Sequence, residues 1–245
     1  EVAVLVAGQV TKDGDVAGPK TLEHAVDTVC AFDGDPRTGL RTLAGGKNRF
    51  GPEGEVAWFE MDAAGLKEVD PLEVLAPSSG EPGAATALVA AGRRALAVEV
   101  QALVVPSEAP RRHVSGLDAR RFGLVAAVLE RVAGLRTRGE LYGASAGGLR
   151  VEEPGADLAV AAALASAASG AAPPAHTAFV GEVSLTGAVR QAPNMAARLA
   201  AAASHGVREV YCAGSVEPPG SVRVTRVADV KDAVAWARPR AKNRL

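Results

Sequence analysis

Lys47-Asn48-Arg49-Phe50-Gly51 is the stretch of this sequence whose residue types and spacing are best suited to chemistry. Two cations two residues apart, on a polar Gly-bounded segment after a strand-like run, share a direction in extended backbone and can grip one phosphate. On spacing alone, a solvated basic turn is the commoner use of such a pair. A second set of cations is formed by Arg111 and Arg112, expected in a loop beginning at Pro110, and by Arg120 and Arg121, near the start of an amphipathic helix. These four can make one phosphate-facing surface. The bland alternative is a solvated face with ion pairs one helical turn apart. The segment 238–244 is also basic and reads as a frayed end.

Other chemistry finds less support. Ser145 and Ser184 are hydroxyls without a visible base, and a lone hydroxyl is a weak nucleophile. Cys30 and Cys212 lie far apart, each inside an apolar segment, and are expected as buried free thiols. There is no CxxC pair, and His24, His113, His176 and His205 lack metal-ligand spacing, so no metal site is expected.

The elements that must position these residues follow from the patterning. A chain of 245 residues with a net charge of −1 suffices for two modest domains. Charge is uneven: residues 1–75 hold seven Lys/Arg against fourteen Asp/Glu, and residues 106–138 hold seven Arg against three acids. Val2 to Ala7 reads as a strand buried on both faces of a parallel sheet. A polar loop leads to Pro19 and a short helix through Glu23 and His24. Strands are expected over about 26–32, 40–46 and 55–61, with a hairpin loop at 34–39. Residues 64–80 carry the boundary, ending in a Pro/Ser/Gly-rich loop. Beyond it come a long strand at 95–105, an amphipathic helix at 117–133 and an Ala-rich apolar helix at 156–169. A strand at 177–180, a helix capped by Asn194 and running to Ser204, and a strand at 209–213 complete an α/β pattern. The longest apolar stretch is too short to cross a bilayer, and the N-terminus lacks a signal-peptide pattern, so a cytoplasmic protein is expected. The abrupt start inside a strand-like run suggests a fragment.

The pentapeptide at 47–51, with Thr11-Lys12-Asp13-Gly14, Gly18-Pro19-Lys20-Thr21, Val26-Asp27-Thr28-Val29, Phe59-Glu60-Met61 and Gly65-Leu66-Lys67-Glu68-Val69 around it, resembles the RadA/Sms family of bacterial DNA repair ATPases. The resemblance covers nearly the whole chain. It implies the C-terminal strands of a RecA-like ATPase core over 1–63, a linker over 64–80, and a proteolytically inactive Lon-protease-like (ribosomal S5 domain 2-like) α/β domain over 81–245. It also implies that Lys47 and Arg49 reach the nucleotide held by a neighbouring subunit. Gln9 would sense phosphate, and Lys12 would lie in a DNA-facing loop with Arg111, Arg112, Arg120 and Arg121 as further DNA contacts. The family usually has His where Gln9 stands. In the Lon-like domain, Gly181-Glu182-Val183-Ser184-Leu185-Thr186-Gly187-Ala188-Val189 matches a Gly-Glu-x-x-Leu-x-Gly-x-Val stretch, and the Ser and Lys of that peptidase fall on Gly155 and Ala196.

By the same resemblance the parent protein uses ATP and Mg, bound by an upstream segment, and carries zinc there. No GxxxxGK[ST] loop occurs in this chain, so none of these is expected to bind it alone. The partners implied are single-stranded and branched DNA, further copies of the chain in a hexameric ring, and a RecA-type recombinase, with no membrane. The activity implied is DNA-coupled ATP hydrolysis that drives branch migration of recombination intermediates. The competing reading is a non-enzymatic oligomerisation scaffold.

Overall fold

The computed structural model describes residues 2–8, 21–34, 39–51, 53, 55–70, 80–91, 94–137, 139–217, 220 and 222–237. Over these the protein is a mixed α/β structure with a four-stranded antiparallel sheet, a seven-stranded mixed sheet and a two-stranded hairpin.

A short helix, α1 (Thr21–Ala25), precedes the smaller sheet. That sheet runs in sequence order β1 (Thr28–Gly34), β2 (Leu40–Asn48), β3 (Val56–Asp62) and β4 (Gly65–Glu68). Every neighbouring pair is antiparallel. β4 falls within the stretch expected as linker, where Leu66 pairs with Met61, and residues 71–79 lie outside the described residues. The expected strand at Val2–Ala7 is not formed. Those residues pair with no described strand and stand exposed, Leu5 at 99%. A continuous apolar run signals a need for burial, but it does not itself supply the neighbouring strands that would provide it.

The larger sheet has the order β13-β12-β9-β5-β6-β8-β7. Its strands are β5 (Ala84–Ala91), β6 (Arg94–Val105), β7 (Arg112–Ser115), β8 (Glu140–Ser145), β9 (Thr177–Val180), β12 (Glu209–Cys212) and β13 (Arg223–Arg226). β5, β6 and β8 form antiparallel pairs, whereas β7–β8, β5–β9, β9–β12 and β12–β13 are parallel. The hairpin β10 (Glu182–Val183) and β11 (Val189–Arg190) projects after β9. Arg111 and Arg112 were expected in a loop, yet Arg112 begins β7 and the Arg111 carbonyl accepts from Leu141 N–H, extending the ladder.

One face of this sheet is covered by α2 (Ala119–Val128), α3 (Asp157–Ser169) and α5 (Val230–Ala233). Asp118 caps α2, its carboxylate accepting from the Arg120 and Arg121 N–H groups, and the helix continues as a π-turn over Leu129–Ala133 to Gly134, which takes a left-handed conformation. α3 is buried on nearly every side, with Leu158, Ala161, Ala162 and Leu164 fully enclosed. Its alanines let sheet and flanking helices approach closely, and removing a side chain such as Leu164 would cost about 2–5 kcal/mol. Trp58 of β3 packs into this same core, joining the smaller sheet to it.

On the opposite face, α4 (Met195–Ser204) packs with Leu88, Ala97, Ala178 and Val210. Asn194 precedes α4 in a left-handed conformation and makes no side-chain capping bond, so the expected cap is not formed. α4 covers only part of the sheet. Along β6, Gln101, Leu103 and Val105 alternate outward to solvent, while Ala102 and Val104 turn toward the main core. Cys212 is buried as expected, whereas Cys30 is exposed on β1, an edge strand whose one face nothing described covers.

Candidate functional site

The pentapeptide stands at the end of β2 and in the turn after it. Lys47 is still in the strand, and its ammonium donates to the carbonyls of Glu23 (2.9 Å), His24 (3.3 Å) and Val26 (2.6 Å). These lie at the C-terminal end of α1, where helix carbonyls lack intrahelical donors and attract a cation. Arg49 has left the strand; it pairs with Asp27 at 3.1 Å, with both side chains more than half exposed. The chain turns at Asn48, whose side-chain oxygen accepts from Phe50 N–H at 3.1 Å. The strand therefore ends before the alternation can align the two cations over open space. Both instead converge on residues 23–27. Phe50 projects beyond them, 82% exposed. Gln9 and Lys12 lie outside the described residues.

The four arginines expected on one surface separate by role. Arg120 is exposed. Arg112 is exposed but lies across α2, where a Cβ at Gly123 would stand 2.7 Å from its guanidinium. Strand alternation turns Arg111 to the other face of the sheet, with His113. Arg121 departs furthest from the expectation. It makes a two-pronged pair with Asp157, Nε to Oδ1 at 2.8 Å and a second contact to Oδ2, and lies 3.7 Å from Glu182. Asp157 is 3% exposed at the start of α3 and also accepts from Val183 N–H. Burial raises the Asp157 carboxyl above its ordinary value despite that pairing, while the bond to Asp157 raises Arg121. Arg121 is thus a bracket between α2, α3 and β10, with its charge already spent internally.

The region around Gly155 is filled by a residue that the sequence pattern did not single out. Arg198, fully buried on α4, donates Nε to Pro193 O at 2.9 Å and forks onto Glu153, Nη1 to Oε1 at 2.8 Å and Nη2 to Oε2 at 2.6 Å. It also donates to Leu88 O. A Cβ added at Gly155 would meet Ala192 at 3.1 Å and Arg198 at 3.3 Å. Gly155 is buried, Ala196 is exposed, and neither carries a nucleophile or base. Ser145 donates to Leu149 O, and Ser184 bonds Thr186 at 2.8 Å. The signal that could have found Arg198 was a lone cation in the otherwise apolar run of Met195–Ala203.

A cleft of about 640 Å³ opens where α4 leaves the sheet uncovered, lined by Glu99, Gln101, Leu103, His113 and Tyr142 among others. The His113 and Tyr142 rings stack with centroids 4.7 Å apart and planes 16° from parallel. Tyr142 donates its hydroxyl to Glu140 at 3.0 Å, which raises the phenol above its usual value. Neither ring was singled out from sequence, because only the β7–β8 register brings residues 113 and 142 together.

Sequence comparison gives the lineage. The chain is 44% identical over 220 residues to the DNA repair protein RadA of Rickettsia bellii, 42% over 242 residues to that of Brucella abortus and 40% over 243 residues to that of Mycobacterium tuberculosis. These alignments cover 87%, 95% and 96% of this chain. Over the region it spans, the chain belongs to the RadA family. It spans about half the length of the curated relatives it matches, 49%, 52% and 51% respectively. No family model matches the sequence. Among the described residues no helix is long and apolar enough to cross a membrane, and no group of three His, Cys, Asp or Glu is placed to hold a metal ion.

Proposed function

We propose that this chain is the part of a DNA-dependent, ATP-driven repair motor that senses a neighbouring subunit's nucleotide, contacts DNA and builds the ring. In this reading the parent protein promotes branch migration of recombination intermediates. Residues up to 63 complete a RecA-like core, and residues 81–245 form a Lon-like module without peptidase activity. The observation that carries the reading is the exposed turn at 47–51: Arg49 and Phe50 stand at the surface, beside a lysine that donates to three main-chain carbonyls among the described residues. Such cations can change acceptors for a modest cost, because surface pairs contribute little. Phosphates at a neighbour's nucleotide would offer charge-assisted bonds in exchange. The chain holds no phosphate loop of its own. Lys47 and Arg49 are therefore assigned the trans contact, with ATP and Mg held mainly by residues outside this chain.

The absence of peptidase chemistry is supported by packing as well as by residue type. The Arg198–Glu153 fork fills the space beside Gly155, and neither Ser145 nor Ser184 has a base among its bonded partners. The scaffold reading gains from Arg121, whose charge serves the fold.

The test is DNA-stimulated ATP hydrolysis by the intact protein. Lys47→Ala and Arg49→Ala are expected to lower the rate at least tenfold with nucleotide affinity retained. Mixing either variant with subunits disabled in their own phosphate loop should restore part of the rate, since each supplies what the other lacks. Hydrolysis that stays at the parent level in both variants would sink the motor reading of this turn and leave the scaffold.

A further inference from the structure

We propose that the uncovered face of the seven-stranded sheet is a stacking surface for the bases of single-stranded DNA, with His113 and Tyr142 as its platform and Arg111 as its phosphate contact. The proposal rests on the DNA role above for its ligand class, and goes beyond it in naming a surface on which cations are secondary.

The face is defined by register. Leu103 pairs with Tyr142, and Tyr142 with His113, so these three side chains form one row across β6, β8 and β7. The next row holds Gln101, Ala144 and Ser115. No described helix covers either row. Leu103 is 55% exposed and Tyr142 37%, which leaves apolar surface and a stacked ring pair facing the cleft. Exposed aromatics on an open sheet bind bases because every base has a π-face, and the outer ring of a stacked pair can accept another ring. The platform is fixed beforehand: Tyr142 is held by Glu140, and the Gln101 amide is oriented by Glu99 at 2.6 Å. The cleft is large enough for a base together with its sugar.

Charge sets the direction of the strand. Glu81 and Glu99 lie within the cleft and Glu140 at its margin, so a phosphate backbone is repelled from the floor. Arg111 stands two residues before His113 in a backbone that extends the β7 ladder, so alternation places it on the same face. The backbone would pass Arg111 with bases turned inward. A duplex buries its base faces in its own stack and has nothing to offer this row.

The experiment measures binding of the intact protein to a fluorescein-labelled oligothymidylate and to a duplex of equal length by anisotropy. The double variant His113→Ala/Tyr142→Ala is expected to weaken oligothymidylate binding about 10- to 100-fold and duplex binding less than about 2-fold. Tyr142→Phe, which keeps the ring but loses the bond to Glu140, should weaken oligothymidylate binding less than the double variant does. Arg111→Ala should lower the salt slope by about one. In the parent protein, an oligomer carrying photoreactive 5-iodouracil should crosslink to Tyr142 or His113, a readout that does not depend on a variant folding. Parent-like oligothymidylate affinity in the double variant overturns the stacking surface alone. An intact protein that binds no single strand overturns the DNA reading beneath it as well. Protection of His113 from diethyl pyrocarbonate by an oligolysine peptide, and not by oligothymidylate, would assign the face to a basic polypeptide and equally overturn the proposal.

Discussion

The turn at 47–51 and the chain around the start of α3 each engage two cations, and they use them in opposite ways. Lys47 and Arg49 sit at the surface on carbonyls and one exposed carboxylate. Arg121 and Arg198 fork onto Asp157 and Glu153 at the edges of the main core, where α2, α3 and α4 meet the sheet. In water a cation can trade one acceptor for another at little cost, so the first pair is available to a partner. Inside the fold each guanidinium forks onto a carboxylate that is itself largely buried, so the second pair is committed. Residue type does not separate these roles; burial and the number of fixed acceptors do.

Arg198→Ala should have the largest effect, because its guanidinium is fully buried. It strands the Glu153 carboxylate, opens a cavity at a fully buried position and leaves the Leu88 and Pro193 carbonyls without this donor. A loss of about 3–5 kcal/mol is expected in urea denaturation, enough to unfold a marginal domain. Replacing both partners by apolar residues, Arg198→Met with Glu153→Leu, should recover much of that loss. A double variant as unstable as the single one would show that the fork supplies more than mutual neutralisation.

Next in size is Arg121→Ala, at about 2–4 kcal/mol, because among the described residues Asp157 then keeps the Val183 N–H alone. Burial already raises this carboxyl in the fold, and removing Arg121 takes away an interaction that lowers it. The sign follows from linkage. A folded-state value above the unfolded one means the native state binds the extra proton, so stability falls as pH rises from about 4, the unfolded value, through the folded one. The variant's deficit against the parent should therefore be largest near neutral pH and shrink as the pH is lowered toward 4. A deficit that is flat between pH 4 and 7 would mean that Asp157 is not the group left unpaired. Asp157→Asn should cost less, since Arg121 is 25% exposed and has Glu182 beside it.

Much of this architecture was readable from the chain. The helical spacing of apolar residues over 117–133 gave α2 but not the π-turn that ends it, the apolar run at 156–169 gave α3, and the partly alternating stretch at 95–105 gave β6 within a residue. Local patterning carried those elements because each meets its own burial requirement along its own length. What failed depended on distant partners. Val2–Ala7 had the composition of a buried strand but pairs with no strand among the described residues, and β7 was too short and too charged to read as anything but loop. The site was less legible still. Arg121 looks like a surface cation until Asp157 is folded against it, 36 residues away. His113 and Tyr142 become a pair only through the β7–β8 register.

The smallest expected effects fall on the turn itself, and they decide whether its two cations are held ready or built in. Arg49→Gln should change stability by less than about 0.5 kcal/mol, and that little should vanish at high salt, since an exposed pair is screened. Lys47→Gln should cost about 0.5–1.5 kcal/mol, because water can reach the carbonyls of Glu23, His24 and Val26 once the ammonium is gone. Both variants should unfold at nearly the parent urea midpoint while failing in DNA-stimulated hydrolysis. That dissociation of stability from activity is what distinguishes a cation held ready from one built in. If Lys47→Gln instead destabilises as strongly as Arg198→Ala, its three carbonyl bonds are the structural tie between α1 and β2. The turn would then belong with the buried forks, and any loss of hydrolysis in the variant would report unfolding alone.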